Sequence, residues 1–317
     1  MLFIHQYPDW TNFRYLRSKI INPLCQVRFL QGLLQGKASF AASKELAESL
    51  SQKDFEALVR IDGRFEVPEV FKSAVRNYSL PMTEKRLLAL HASLVPGGGH
   101  FRESGELYHS QILRGFKGVS SERIPREVAK FIQYFNEDST DSVLKAAIVH
   151  FHFVTIRPFD SGNGALARLL SEMLLAQSEN TSRCYYTFNE TLLENKDSYF
   201  EALYKAQTSN GEITSWILWF LEKMQEALAK TSQKMTTQFE DTKQQLSISG
   251  IALSEREQKL VGQLRKNPKH PISSSEWAGL AEISHDSALR DLNGLVQKKV
   301  LLKSSGRGRS TRYLLNK

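Results

Sequence analysis

The 317 residues, 41% hydrophobic and 24% charged, have an ordinary globular composition and are long enough for two or three domains, with a formal net charge of +8. The only cysteines, Cys25 and Cys184, lie far apart, which excludes a disulfide framework and cysteine-based metal spacing and fits a reducing cytoplasm. The opening MLFIHQYPDW has neither a basic n-region nor an apolar h-region, and no apolar run reaches about 18 residues, so neither export nor a membrane span is expected.

Residues 1 to about 80 read as helical. Leu24, Val27, Leu30, Leu33 and Leu34 recur at three-to-four spacing, and Leu46, Leu50, Phe55 and Leu58 do so more loosely. A helix through Leu87, Leu88, Leu90 and His91 stops at Pro96-Gly97-Gly98-Gly99. The stretch His100 to Leu107 alternates enough for a short hairpin. Residues 124–136 and 139–156 give two amphipathic helices. The second leads into Phe151–Leu170, FHFVTIRPFDSGNGALARLL.

That stretch organises the chain. Pro158 disfavours a helical Arg157, so the first helix stops there. Gly162 and Gly164 flank Asn163, and these residue types tolerate the positive φ that turns successive N–H groups into one hollow. A second helix starts at about Gly164 or Ala165, and the positive end of its dipole faces the same hollow. Such a loop before a helix N-terminus is an anion cradle, with Arg168 placed to close over a phosphate.

Ala147, His150, Phe153, Ile156, Pro158, Phe159, Gly162, Asn163, Gly164 and Arg168 closely resemble the Fic family motif. That motif reads H-P-F-x-(D/E)-G-N-G-R-x-x-R after A-x-x-H-x-x-F-x-x-I. The resemblance implies a mainly α Fic-fold core with a small β-hairpin flap. It also implies the chemistry of AMP transfer from ATP to a protein hydroxyl. The family's histidine, its general base, is Arg157 here, and a guanidinium stays protonated with no acceptor lone pair. The family's magnesium-holding acid is Ser161, a poor sole anchor for Mg2+, with Asp160 beside it as a displaced carboxylate. The first motif arginine is Ala165. The site therefore reads as degenerate: ATP or another nucleotide or phosphate held by Ser161, Gly162, Asn163, Gly164 and Arg168, with Mg2+ binding weakened and Arg157 a phosphate ligand rather than a base. The alternative is a protein adenylyltransferase, or a variant phosphate-transfer enzyme, working without the usual histidine.

The same resemblance assigns roles on either side. Tyr7-Pro8-Asp9-Trp10 and the helix after it resemble an N-terminal region carrying (S/T)-x-x-x-E-(G/N), whose glutamate pairs with the second motif arginine and blocks ATP. Leu58 to Gly63 matches that place with Asp62 for the glutamate, set to meet Arg168. The hairpin after Gly99 resembles the flap that pins an extended protein target. Asn195 and Tyr199 match an N-x-x-x-Y-Y segment that lines the nucleobase pocket. Ile213, Trp216, Ile217, Trp219 and Phe220 form an apolar helix closing this core.

From about residue 226 the composition turns to Lys, Gln, Thr and Ser, a polar helix fraying into a linker. Three helices then follow, the first behind a Ser254 cap, the second over 273–281 and the third over 284–296. A hairpin of Val300–Leu302 with Thr311–Leu315 turns through Gly306–Arg309. This order resembles a winged helix-turn-helix. Residues 249–317 hold thirteen Lys and Arg against six Asp and Glu, a net of +7. Lys298, Lys299, Lys303, Arg307, Arg309 and Arg312 crowd the wing and its approach for phosphate contact, with Ser284, His285, Ser287 and Arg290 reading bases. The expected layout is 1–80 N-terminal helical region, 81–230 Fic core, 231–250 helical linker and 251–317 winged helix. The expected function is a cytoplasmic DNA-binding transcriptional regulator, a homodimer with a protein partner at the flap.

Overall fold

The computed structural model describes residues 2–41, 44–64, 66–103, 116–182, 185–249, 253–266, 270–304 and 311–316. The chain divides into two compact units, Met1–Thr236 and Thr237–Lys317.

Among the described residues, the regular elements of the first unit are helices. Its elements are α1 (Arg17–Ala41), α2 (Lys44–Arg60), α3 (Glu69–Arg76), α4 (Glu84–Leu94), α5 (Ile124–Glu137), α6 (Ser142–Ile156), α7 (Asn163–Glu179), α8 (Phe188–Glu194), α9 (Lys196–Gln207) and the start of α10 (Thr214–Ser249). At its centre α6 packs along α7. Every residue of α6 from Val143 to Ile156 is buried, so this helix is apolar on all sides rather than amphipathic. Neighbours on each face account for that: α5, α7 and α10, whose Trp216 Nε1–H donates to Ala147 O at 2.8 Å. Asp141 caps α6 by accepting from Val143 and Leu144 N–H. Leu33 is 40% exposed on α1.

The second unit holds the end of α10 with α11 (Glu255–Lys266), α12 (Ser274–Ala281) and α13 (His285–Gln297). β1 (Leu301–Lys303) and β2 (Tyr313–Leu315) follow, paired antiparallel with Leu301 opposite Leu315. Ile272 and Tyr313 exchange backbone hydrogen bonds at 2.9 and 2.8 Å, tying the strand pair to the approach of α12. A reciprocal Ser273–Glu276 box starts α12, and Ser284 caps α13. Leu260, Leu264, Trp277, Leu292, Leu295 and Tyr313 make the unit's own core.

Candidate functional site

The junction of α6 and α7 builds the site. α6 ends at Ile156, and Arg157 adopts a left-handed conformation (φ 50°, ψ 63°). That strained geometry is held from both sides. Buried Arg102 donates from Nε to Arg157 O at 2.7 Å and from Nη2 to Val119 O, and its own N–H donates to Pro158 O. A Cβ on Gly118 would lie 2.7 Å from Ile156 O and 2.8 Å from Arg157 Cβ, so only glycine permits that approach. Arg102, in the first part of the expected flap, and residues 118–119 are thus fastened to the motif loop. The flap's residues 104–107 lie outside the described residues.

The loop is locked internally as well. Asn163 Nδ2–H donates to Phe159 O at 2.7 Å while its Oδ1 accepts from Phe159 N–H at 3.1 Å. These two bonds fix the orientation of the amide in the loop, and Asn163 still lines the cavity beside it. His91 stacks on Phe159 at 3.8 Å, accepts from Gly99 N–H through Nδ1 and donates from Nε2 to Ser161 O. Burial lowers its pKa, consistent with the neutral tautomer that this pattern requires. Gly162 has φ +78°, as the loop chemistry demands, but Gly164 sits inside α7 with no positive φ. What Gly164 supplies is room: a Cβ there would lie 2.9 Å from Asp62 Oδ1 and 3.0 Å from Oδ2.

An anion fills the cradle from within the chain. Asp62, in the turn that ends α2, accepts from the Ala165 N–H at the start of α7 (2.8 Å). The same oxygen is 2.9 Å from Arg168 Nη2. Arg168 is 1% exposed and donates from Nε to Leu58 O at 2.8 Å. Burial works against its charge, and Asp62 with Tyr199 more than offsets that, leaving its pKa raised. The Tyr199 hydroxyl passes the network on to His150 Nε2 at 2.8 Å, and His150 Nδ1 meets Ser171 Oγ at 3.2 Å. Ser171 donates to backbone carbonyls, so His150 carries its proton on Nδ1 and accepts from Tyr199. Burial, then the Arg168 charge, hold the His150 pKa well below its usual value, while burial pushes Tyr199 up to about 12. His150 and Tyr199 are therefore neutral supports for Arg168 across the physiological range.

Beside this network lies a cavity of about 380 Å³. Asp62, Arg157, Arg168 and Lys196 line it with charge, and Val154, Phe200 and Leu203 give it an apolar wall. Ile61, Gly63, Gly162, Asn163, Gly164, Tyr199, Tyr204 and Gln207 complete the lining. Arg157 therefore faces the cavity. Asn195 does not line it: its Nδ2–H donates to Thr191 O at the end of α8, and Lys196 takes the lining position. Ser161 is also outside the lining, its Oγ accepting from Arg64 Nη2 at 3.2 Å. Arg64 was not among the sequence candidates, since a lone arginine after a turn glycine carries no signal.

A magnesium ion does not fit this donor set. The position expected to anchor it is a hydroxyl bonded to a guanidinium, Asp160 is exposed, and no cluster of three His, Cys, Asp or Glu exists among the described residues.

In the second unit, His285, Asp286, Arg290, Asn293 and Gln297 form the exposed face of α13. Asn293 and Gln297 were not among the sequence candidates on this helix. His285 Nε2 lies 2.9 Å from Ser274 Oγ, and Ser284 Oγ accepts from Ser287 N–H, so both contribute to helix packing and capping. Lys298, assigned to phosphate contact, instead places its ammonium 2.8 Å from both oxygens of Glu257. Arg312 pairs through its backbone with Ser304. Arg307 and Arg309 lie outside the described residues.

A family model described as the Fic/DOC family matches residues 81–175, which contain the α6–α7 junction. The fold agrees. A Fic family protein from Desulfovibrio desulfuricans superposes with a TM-score of 0.57 at 17% identity, covering 93% of this chain and 95% of that one. A Fic domain containing signaling protein from Bacteroides thetaiotaomicron gives 0.52 at 15% identity, covering 67% and 97%. Residues 81–175 thus match the Fic/DOC family model, and the chain shares the fold of these Fic structures. Proteins named protein adenylyltransferase fic-1 from Caenorhabditis briggsae and Caenorhabditis elegans are 31% identical over 96 residues. That segment is 29% of this chain and spans only 19% of the length of each relative.

Proposed function

We propose that the Fic core is a phosphate- or nucleotide-binding sensor that has lost base-catalysed AMP transfer, joined to a winged-helix DNA-binding unit. The observation that carries this reading is the Asp62 carboxylate seated on the Ala165 N–H and beside Arg168. A helix N-terminus and a buried guanidinium that hold a carboxylate offer the same donors to a phosphate oxygen. In this reading Asp62 is a tethered competitor, and the nucleotide enters when Asp62 leaves. Arg157 adds charge to the cavity but cannot take a proton from a target hydroxyl. Because Ser161 faces Arg64 rather than a carboxylate, phosphate charge is met by guanidinium and ammonium groups without magnesium.

The three helices and strand pair of the second unit support the winged-helix reading. Its basic excess suits DNA, with α13 in the major groove and Arg307, Arg309 and Arg312 on the backbone. A cytoplasmic transcriptional regulator follows, dimeric if it reads paired half-sites, with a protein partner at the flap. No helix among the described residues is long and apolar enough to cross a membrane.

The second reading, a protein adenylyltransferase, draws on the names of the two curated relatives. One experiment separates the two. The full chain is incubated with ATP labelled at the α-phosphate, and with duplexes recovered from a random DNA pool. Saturable ATP binding lost in Arg168→Ala, duplex binding that shifts with ATP, and no label on protein support the sensor. Label transferred to protein and lost in Asp160→Ala assigns the chain to the enzymes.

A further inference from the structure

α1 presents a row of apolar side chains to solvent. Phe29 is 64% exposed, Ile21 53% and Leu33 40%, with Cys25 exposed between them. Spacing of four residues puts these on one helix face over about 18 Å. Single exposed hydrophobics are ordinary on any protein, but a continuous row of them marks an interaction surface. Gly32 and Gly36, one turn apart beside Phe29 and Leu33, are open: a Cβ on either would meet nothing within 4 Å. They leave a notch in which a side chain from a second helix can seat close to the α1 backbone. Toward its N-terminal end the row runs into an open groove of about 430 Å³, lined by Arg17, Ile21 and Leu24 of α1 with Tyr15, Thr140 and Leu144.

Charge selects the occupant. α1 carries Arg17, Lys19, Arg28 and Lys37 and no Asp or Glu. Arg28 is held by Asp141 and by Ser178 O, and Lys37 by the Ser232 and Thr236 hydroxyls. Arg17 and Lys19 stay exposed at this end of α1, and Arg17 lines the groove. The helix offers cations and no carboxylate along its length, so a second copy of α1 laid on this face brings no acidic partner for them. We propose that the Ile21–Phe29–Leu33 face of α1 docks an amphipathic helix of a partner protein, its apolar stripe flanked by Asp and Glu at the Arg17–Lys19 end. The surface is independent of the nucleotide reading.

The test is selection of displayed peptides of about 16 residues from a random library on the immobilised full chain, with a Phe29→Glu chain as counter-selection. Position 29 is mostly solvent-exposed, so the variant is expected to fold, which circular dichroism and its melting temperature check. The expected result is enrichment of sequences with apolar residues at helical spacing and acidic flanks. The best peptide should weaken at least about tenfold on Phe29→Glu, and its acidic preference should disappear on Arg17→Glu/Lys19→Glu. No enrichment over the Phe29→Glu control, or enrichment without acidic flanks, overturns the proposal. So does a wild-type dimer in sedimentation equilibrium that Phe29→Glu dissociates, because the occupant is then a second copy.

Discussion

Asp62 Oδ2 stands 2.9 Å from Arg168 Nη2 and 2.8 Å from the Ala165 nitrogen, so one carboxylate oxygen engages both anion-binding elements of the α7 N-terminus. α2 is thereby anchored to the motif helix at its last turn. Arg168 Nε also donates to Leu58 O of α2, so removing the Asp62 carboxylate leaves that second tie in place and is a small, specific perturbation of the site.

Metal dependence should follow position 161. With Ser161 bonded to Arg64, ATP binding is expected to be the same in EDTA and in magnesium. Ser161→Asp combined with Arg64→Ala replaces a cation by a carboxylate. Titration of that double variant should show affinity that rises about tenfold or more with magnesium. A wild-type chain that needs magnesium contradicts the assignment.

The Tyr199 hydroxyl should act as a structural relay. It joins Arg168 to His150 in a buried network, so Tyr199→Phe leaves His150 Nε2 without its donor. Denaturant unfolding should show a loss of about 1–3 kcal/mol. A variant as stable as the wild type removes the relay.

A second buried cluster predicts pH dependence. Asp54 on α2 accepts from the Asn189 backbone and side chain at 2.7 and 2.6 Å, and Glu172 on α7 accepts from the same side chain at 2.8 Å. Burial raises Asp54 to about 7, and burial followed by the Asp54 charge pushes Glu172 well above the usual carboxyl range. Burial likewise raises Glu179 to about 7. The folded chain thus binds these protons more tightly than the unfolded one. Their stabilisation is complete below about pH 4 and is lost as pH rises through about 7. The melting temperature should fall between about pH 5 and pH 8, with a shallower slope in Asp54→Asn. A flat wild-type profile contradicts the raised carboxyl groups.

Much of this was legible in the sequence, for local reasons. The Arg157-Pro158 break, the Gly162 turn and the meeting of Asp62 with Arg168 follow from backbone rules and from the family spelling. Long-range features were not legible. Nothing local tells that α6 is covered on all sides, or that Asn163 spends its amide on Phe159 O. Lys196 rather than Asn195 lines the cavity because Asn195 closes α8, a difference of one residue that resemblance alone does not resolve. The pairing of Lys298 with Glu257 spans 41 positions and withdraws a charge that composition had counted for DNA.

That last contact separates two lysine and arginine roles. Arg290→Ala should weaken duplex binding by about 1–3 kcal/mol and relax base preference. Lys298→Ala should leave duplex affinity nearly unchanged while lowering the stability of the second unit. Anisotropy titrations on a selected duplex, paired with thermal melts, check both. Equal loss of DNA affinity in the two variants contradicts the assignment.

The central claim is that Asp62 occupies a phosphate site. It is tested most directly by isothermal titration of ATP in EDTA against wild type, Asp62→Ala and Asp62→Ala/Arg168→Ala. The account predicts affinity at least about tenfold higher in Asp62→Ala than in wild type, and no saturation once Arg168 is also removed. ATP binding unchanged by Asp62→Ala, or surviving the loss of Arg168, would contradict it.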